Sequence, residues 1–312
     1  MHVLRDLPEN SDPSAVTIGV FDGVHLGHQL IVGRMVEHAR QNELRATVVT
    51  FDPHPALLLR PESAPKLLST LESKLARLET LGVDRTVVLP FTPDISTMEP
   101  ETFVDRILVH SLNASRVVIG ANFHFGANRG GNVDDLIVFG ARSGFDVEVV
   151  DLARLDGMPE PVSSTAIRRA LAGGRVSEAT TMLGRPFAIT GEVLMGDQRG
   201  RTIGFPTANV PVSRDRAWPA DGVYAGWLTA SDDVRRPCAI NIGKRPTFYQ
   251  HAEHSLLEAH VLDFDGDLYG DFVRVEFAEF IRSERRFDGI DDLARQLKLD
   301  TEQARRILDE YP

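Results

Sequence analysis

Residues 16–29 (VTIGVFDGVHLGHQ) constrain the fold most, because a short apolar run gives way there to a helical pattern within a few residues. The run is rich in β-branched and aromatic side chains, which predicts a buried strand. Beyond Asp22 and Gly23, apolar residues recur at helical spacing over residues 30–39. We therefore expect a strand joined to a helix by a tight, glycine-containing turn.

The turn between the predicted strand and helix carries the candidate chemistry. A helix N-terminus presents unpaired N–H groups and about half a positive charge, which suits a phosphate. His25 and His28 are three residues apart, so both imidazoles can lie near one face of the first turn, where Gly27 leaves room for the anion. On spacing alone, a surface pair or a stray metal site is the commoner explanation.

The first half of the chain alternates between strand and helix patterns. Further strands are predicted at residues 45–51, 86–91, 116–120 and 145–150, with helices near 69–82, 99–108, 134–142 and 164–171. Such alternation predicts a parallel sheet with helices on its faces. Ligands bind beyond the carboxyl ends of the strands in these sheets, so loops that follow strands can share one cleft.

The pattern changes after residue 184. Gly184 predicts the end of a helix, and Pro186 prevents its continuation, so we place a domain boundary between 1–184 and 185–312. Beyond it, strands are predicted at residues 187–194, 222–229, 238–242, 255–264 and 271–281. No helical stretch long enough for a crossover lies between these strands, which predicts an antiparallel barrel or sandwich followed by a C-terminal helix.

Composition excludes several classes of protein. The chain has 312 residues, long enough for two domains, and a net charge of −11, which argues against nucleic acid or an acidic membrane as the main partner. A single cysteine, Cys238, excludes a disulfide framework and a multi-cysteine metal site. No signal peptide or membrane-spanning run is recognisable, so we expect a cytoplasmic protein.

Several motifs resemble one known family over essentially the whole chain. The run 19–29 (GVFDGVHLGHQ) resembles the HxGH signature of nucleotidyltransferases, in the form found in bacterial bifunctional riboflavin kinase/FAD synthetases. In the same order as in that family follow the segments 53–55 (PHP), 120–126 (GANFHFG), 162–168 (VSSTAIR) and 203–209 (IGFPTAN). The resemblance implies a Rossmann-like α/β nucleotidyltransferase domain followed by a riboflavin kinase β-barrel.

For the first domain, the resemblance implies transfer of AMP from ATP to FMN, with His25, His28 and Arg168 as catalytic residues. It also implies nucleotide or flavin contacts for Gly19, Phe21, Asp22, Gly27, His54, Asn122, Phe123, Ser163, Ser164 and Thr165. Asn122 replaces the aspartate that is commoner in the family. For several of these residues a purely structural role is the alternative. Phe123 would fill the core, Ser163 and Ser164 would cap a helix, and His54 would lie in a loop whose conformation two prolines fix.

For the second domain, the resemblance implies that Thr207 and Asn209 serve Mg²⁺ and the nucleotide, and that Glu258 is the general base. The nucleotide would also contact Gly196, Gly200, Arg201, Gly204 and Pro206. Strand alternation places Glu258 on the same face as Leu256 and Leu262, and a carboxylate on an apolar face is costly unless it is used. The alternative is that Glu258 faces outward or pairs with an arginine.

The resemblance as a whole implies a bifunctional enzyme that converts riboflavin to FMN and FMN to FAD. ATP with Mg²⁺ is the co-substrate, and the flavins are substrates and products rather than prosthetic groups. We expect a monomer or a weak homo-oligomer. Two alternatives stay open: an adenylyl- or cytidylyltransferase for another phosphorylated metabolite, with the barrel as a binding module, and a non-catalytic flavin sensor or carrier.

Overall fold

The structure is a computed structural model that describes residues 1–9, 11–158, 160–196, 200, 203–243 and 255–311. The chain divides into two compact units, Met1–Ser164 and Thr165–Pro312. Each unit has its own sheet. Two units agree with the expectation that a chain of this length exceeds a single compact core.

Within its described residues, the first unit contains a six-stranded parallel sheet. Its strands are β1 (His2–Leu4), β2 (Ser14–Ile18), β3 (Arg45–Asp52), β4 (Arg85–Pro90), β5 (Ala114–Gly120) and β6 (Asp146–Val150), in the spatial order β1-β4-β3-β2-β5-β6. All neighbouring strands run parallel. The parallel sheet predicted from the alternating pattern is confirmed, whereas β1 was missed because three residues carry no readable periodicity.

Helices connect these strands. They are α1 (Leu26–Gln41), α2 (Pro55–Leu59), α3 (Leu71–Thr80), α4 (Pro93–Ser96), α5 (Pro100–Phe103), its π-helical continuation Val104–Ser111, and α6 (Val133–Ser143). Apolar clusters on both faces of the sheet bury the central strands, so all of β2 is inaccessible to solvent. Parallel strands that are buried on both faces have nearly continuous apolar sequences, which is why these strands could be predicted.

The strand order creates a crevice at the loop that follows β2. From β2 the chain proceeds to β3 and β4 on one side, and then returns to β5 and β6 on the other. The loops after β2 and β5 therefore leave the sheet in opposite directions. In open parallel sheets this switch point is where ligands bind.

The described part of the second unit contains a six-stranded antiparallel sheet. Its strands are β7 (Phe187–Glu192), β8 (Ala208–Val212), β9 (Gly222–Thr229), β10 (Arg235–Gly243), β11 (Ser255–Val261) and β12 (Phe272–Arg282), in the order β7-β12-β9-β10-β11-β8. An isolated bridge between Leu194 and Asn209 brings the chain after β7 against β8. The sheet thus nearly closes on itself, which confirms the predicted barrel.

Three helices accompany the barrel: α7 (Ser164–Ala172), α8 (Val176–Leu183) and α9 (Ile290–Asp309). The division between the compact units lies after residue 164, earlier in the chain than the predicted boundary after residue 184. Helix α8 packs against β7 and β12, and the backbone N–H of Ala220 donates a hydrogen bond to the carbonyl of Leu171 in α7. Helix α8 therefore packs with the barrel, and one backbone hydrogen bond joins α7 to the residues that precede β9. Where one activity gives way to the other along the chain stays a prediction.

The C-terminal helix α9 packs on β9, β10 and β12, as expected for the tail. Its buried anchor is Asp300, which accepts hydrogen bonds from the Arg282 guanidinium of β12, at 2.6 Å, and from Gln296, at 2.7 Å. In the part of the chain that the structure describes, no helix has both the length and the apolar character needed to cross a membrane.

We predict that Asp300→Ala lowers the free energy of unfolding of the second unit by about 3 kcal/mol, because a partly buried guanidinium loses its partner. Urea unfolding measures this change. Asp309→Ala, at the exposed end of the same helix, should leave the free energy of unfolding nearly unchanged. Equal effects of the two substitutions would contradict the assignment of Asp300 as the anchor.

Candidate active sites

The backbone between β2 and α1 adopts an unusual conformation. Phe21, Gly23 and Val24 have positive φ angles of 50°, 81° and 39°. A β-branched residue in this region is strained, and such strain concentrates at functional sites. The strained turn directs the chain from the end of β2 into the first turn of α1, at the switch point of the sheet.

Asp22 holds this loop in place. Its carboxylate is 4% exposed and accepts hydrogen bonds from the backbone N–H groups of Leu68, at 2.9 Å, and Ser69, at 3.2 Å. The backbone N–H of Gly23 donates to the Ser69 hydroxyl, and the Ser164 hydroxyl donates to the Asp22 carbonyl. These contacts give Asp22 a structural role, while its predicted contact with a nucleotide or flavin stays a prediction.

His25 and His28 lie together at the start of α1. Their rings stack with centroids 3.6 Å apart, and Phe21 meets His28 edge-on at 5.2 Å. His25 caps the helix, since its Nδ1 accepts a hydrogen bond from the His28 backbone N–H at 3.3 Å. A neutral His25 therefore carries its ring proton on Nε2. The predicted clustering of the two imidazoles at a helix N-terminus is what the structure contains.

His28 Nδ1 is buried and has no hydrogen-bond partner among the described residues. A buried polar atom without a partner costs about 1–3 kcal/mol, which a bound ligand can recover. The pKa of His28 lies well below 6.5, first because of burial and then because of the positive charges of His25 and Lys74. His28 is therefore neutral near pH 7 and meets an anion as a hydrogen-bonding imidazole rather than as a cation.

Gly27 also has a structural reason, while the prediction that it leaves room for a phosphate stays a prediction. A Cβ at this position would lie 3.3 Å from the His25 ring. The next neighbour is the carbonyl of Val162, 3.7 Å away. The missing side chain thus makes space for the capping imidazole to fold back over the first turn of α1.

The loops after β3 and β5 contain the other predicted contacts of the first unit. His54 caps α2 through Nδ1, which accepts from the Ala56 backbone N–H at 3.1 Å. Asn122 is exposed, and Phe123 packs partly into the core, with its ring 5.5 Å from that of Phe125. The structural alternatives for His54 and Phe123 are therefore present, and their contacts with substrate stay predictions.

The segment 162–168 begins α7. Ser164 donates to the loop that holds Asp22, as described above, while Ser163 precedes the helix. Thr165 is exposed and Arg168 half-buried in the first two turns of α7, where the second compact unit begins. The predicted roles of Ser163, Thr165 and Arg168 stay predictions.

Sequence reasoning missed Lys74 in α3. It is 7% exposed and donates from Nζ to the Thr50 hydroxyl at 3.2 Å. A signal was present, because Lys74 lies three residues after Leu71 and four before Leu78, within the apolar stripe of this helix. A charged residue in such a stripe is a candidate functional residue.

In the second unit, Asn209 of β8 is 5% exposed, and its amide nitrogen donates to the Thr207 carbonyl at 3.3 Å. Its Oδ1 is buried and has no hydrogen-bond partner in the described part of the chain. An amide oxygen in this state suits a hard cation such as Mg²⁺. The predicted roles of Asn209 and Thr207 as Mg²⁺ ligands stay predictions.

Glu258 of β11 lies between two asparagines. It is directly opposite Asn209 of β8 and Asn241 of β10, so all three side chains project from the same face of the sheet. The prediction that this face is apolar was wrong. The fully buried face of β11 carries Leu257 and Ala259, and Leu262 lies beyond the strand. The alternation argument took the face of Glu258 for the buried face of β11, a choice that depends on how the strand pairs with its neighbours.

The glycine-rich segment approaches β8 closely. A Cβ on Gly196 would lie 2.5 Å from the Asn209 amide nitrogen, and one on Gly200 would lie 2.3 Å from the Phe205 carbonyl oxygen. Gly204 has a φ of 85°, and the Pro206 carbonyl is 2.8 Å from His260 Nδ1. Arg201 lies outside the described residues. Gly196 thus lies close to the Asn209 side chain, and Gly200 lies close to the Phe205 backbone.

Comparisons with known proteins cover both units. The family model described as FAD synthetase matches residues 7–166, and the one described as riboflavin kinase matches residues 183–308. The chain is 40% identical to the bifunctional riboflavin kinase/FMN adenylyltransferase of Pseudomonas fluorescens, over 98% of this chain and 96% of that protein. It is 38% identical to the Listeria monocytogenes protein of the same name, over 93% of this chain and 91% of that protein.

A solved structure shares the fold of the whole chain. The crystal structure described as a macrolide-efflux protein from Streptococcus pneumoniae has a TM-score of 0.87 and 29% sequence identity, and the match covers 98% of this chain and 99% of that one. Efflux is part of the description of that protein and is not transferred to this chain. For this chain, the likeness supports the succession of a parallel-sheet unit and an antiparallel barrel.

We predict that lowering the pH below about 6.5 destabilises the first unit partly through His28. The pKa of His28 is lowered in the folded protein. The unfolded chain therefore takes up the proton first as the pH falls, which favours unfolding. The loss of stability between about pH 7.5 and about pH 5.5, measured by urea unfolding, should be smaller in His28→Asn. The same loss in both proteins would show that His28 is not responsible.

Proposed function

Because the chain belongs to the family of bifunctional riboflavin kinases/FMN adenylyltransferases, we propose that it makes FAD from riboflavin in two ATP-dependent steps. The second unit phosphorylates riboflavin to FMN, and the first transfers AMP from ATP to FMN. The observation that carries the assignment of the second step is the stacked His25–His28 pair at the N-terminus of α1, with a buried ring nitrogen that lacks a partner in the described residues.

In the kinase step, the terminal ribityl hydroxyl of riboflavin attacks the γ-phosphorus of ATP. The new bond joins that oxygen to phosphorus, the bond to the β-phosphate oxygen breaks, and ADP leaves. We assign the general base to Glu258, because its carboxylate shares a face of the sheet with Asn209, the residue that would hold Mg²⁺ and its nucleotide. Positioning and neutralisation of charge supply most of the catalysis in such reactions.

Mg²⁺ would be held by Asn209 Oδ1 and Thr207, with ATP oxygens and water as its remaining ligands. When bound, it neutralises charge on the phosphates during transfer. The residues fit the ion, because the buried Asn209 Oδ1 lacks a protein partner in the described part of the chain. The glycine segment, with Gly196, Gly200, Arg201, Gly204 and Pro206, would contact the nucleotide.

In the adenylylation step, an oxygen of the FMN phosphate attacks the α-phosphorus of ATP and pyrophosphate leaves. No general base is required, because the phosphate already has an ionised oxygen near pH 7. What the protein must stabilise is the negative charge on the α-phosphate and on the leaving pyrophosphate. We assign this role to His25 Nε2, to His28, to the first N–H groups of α1 and to Arg168.

The remaining predicted contacts of the first unit complete the proposal. Gly19, Phe21, Asp22 and Gly27 shape the loop that binds phosphate. The flavin or nucleotide would contact His54, Asn122, Phe123, Ser163, Ser164 and Thr165. The predicted division of labour assigns residues 1–184 to adenylylation and 185–312 to phosphorylation, in a cytoplasmic monomer or weak homo-oligomer.

We predict that His28→Ala lowers the rate of FAD formation from FMN by about 10²–10³-fold, the usual cost of one lost transition-state donor. Formation of FMN from riboflavin should be unchanged. Chromatography of the flavins over time measures both rates. His38→Ala, which removes an imidazole near the other end of α1, is the matched control. Equal loss of both activities in a folded His28→Ala protein would contradict the separation of the two sites.

We predict the reverse for Glu258→Gln. Removal of the base should slow FMN formation by about 10²–10⁴-fold, while FAD formation from supplied FMN continues. Glu279→Gln changes an exposed glutamate of β12 and serves as the control. Undiminished FMN formation by Glu258→Gln would exclude Glu258 as the general base.

A further inference from the structure

Lys74 is a buried cation that none of the steps above uses. Its ammonium has three donors, and within the described residues one of them has a partner, the Thr50 hydroxyl at 3.2 Å. The Thr50 hydroxyl in turn donates to the carbonyl of Val20 at 3.1 Å. The side chain thus ends next to the backbone that leads into the strained turn at Phe21.

Charged groups from several elements surround this ammonium. Burial lowers the pKa of Lys74, and the negative charges of Asp22, in the loop after β2, and Asp52, at the end of β3, offset part of this shift. His28 of α1 is near enough for the charge of Lys74 to lower its pKa, as that of His25 also does. The Asp22 carboxylate already accepts hydrogen bonds from two backbone N–H groups. The Asp52 carboxylate forms an ion pair with the Arg5 guanidinium, with 3.6 Å between Oδ2 and the nearer guanidinium nitrogen.

A lysine at this position is unfavourable for stability. It occupies the apolar stripe of α3 beside Leu71 and Leu78, where an aliphatic side chain would pack without a desolvation cost. Replacing a buried charge by an apolar residue of similar volume is often neutral or stabilising. A costly buried cation next to a phosphate-binding loop is a candidate for a functional role.

We propose that Lys74 is a positioning residue for adenylyl transfer, whose ammonium supplies the fixed positive charge beneath residues 19–28 and acts on the triphosphate through His28. This inference rests on the proposed function of the first unit. The proposal explains why a charged residue is buried next to His28. A neutral His28 donates a hydrogen bond but carries no positive charge, so Lys74 supplies the charge. A cation held in a poorly solvated position keeps its influence on bound phosphates even in salt.

The test uses the full chain with Lys74→Gln, which keeps a donor for Thr50 but removes the charge, and Lys74→Met, which removes both. Lys298→Gln, at an exposed position of α9, is the control for net charge. We expect both Lys74 variants to lower kcat/KM for FAD formation by about tenfold or more, with FMN formation unchanged. Wild-type rates of FAD formation in Lys74→Gln would overturn the proposal.

Two further measurements separate positioning from a purely structural role. The NMR titration midpoint of His28 should move to higher pH in both Lys74 variants, since one neighbouring positive charge is lost. The melting temperature of the first unit should be unchanged or higher in Lys74→Met. An unmoved His28 midpoint, or a loss of FAD formation accompanied by a lower melting temperature in both variants, would refute the inference.

A binding measurement makes the test independent of turnover. Inorganic pyrophosphate is added, and its binding is followed by NMR through the His28 resonances. We expect about tenfold weaker binding in Lys74→Gln and unchanged binding in Lys298→Gln. If the wild-type protein forms no FAD, the proposed function fails, and pyrophosphate binding still decides the role of Lys74. Equal affinity in the wild type and Lys74→Gln would then reject that role.

Discussion

The adenylylation site depends on one buried carboxylate. Asp22 accepts hydrogen bonds from backbone N–H groups 46 and 47 residues further along the chain. A buried carboxylate is tolerated only with such partners, so the contact ties the loop after β2 to the segment that precedes α3. This tie keeps the strained turn in shape and brings Lys74 under the same loop. The contact thus links the strained turn to the start of the helix that carries Lys74.

The two candidate sites share a physical feature although their folds differ. Each contains a buried polar atom that lacks a hydrogen-bond partner among the described residues: Nδ1 of His28 in the parallel-sheet unit, and Oδ1 of Asn209 in the barrel. Each of these residues also donates a hydrogen bond to a residue nearby in the sequence. The His28 backbone N–H donates to His25 Nδ1, and the Asn209 side-chain amide donates to the Thr207 carbonyl. Such contacts limit side-chain motion before a ligand binds, which reduces the entropy lost on binding.

Much of the fold could be predicted because its patterns are local. The strand-to-helix transition at residues 16–29 and the alternation that follows it are periodicities of a single segment. Which face of β11 is buried could not be predicted in this way, because that depends on how the strand pairs with β8 and β10. The contact between Gly27 and the His25 ring was missed for a similar cause, since the ring folds back over the helix only in three dimensions.

The sequence by itself determined the family, the succession of two folds, and the residue types that each reaction requires. These depend on motifs and periodicity, which are properties of neighbouring residues. Only the tertiary structure decided that Lys74 lies buried beside Thr50 and that Glu258 lies between two asparagines. The apolar stripe of α3 marks Lys74 as unusual, but its partner Thr50 and the strands that flank Glu258 come from distant segments, so local patterns do not identify these contacts.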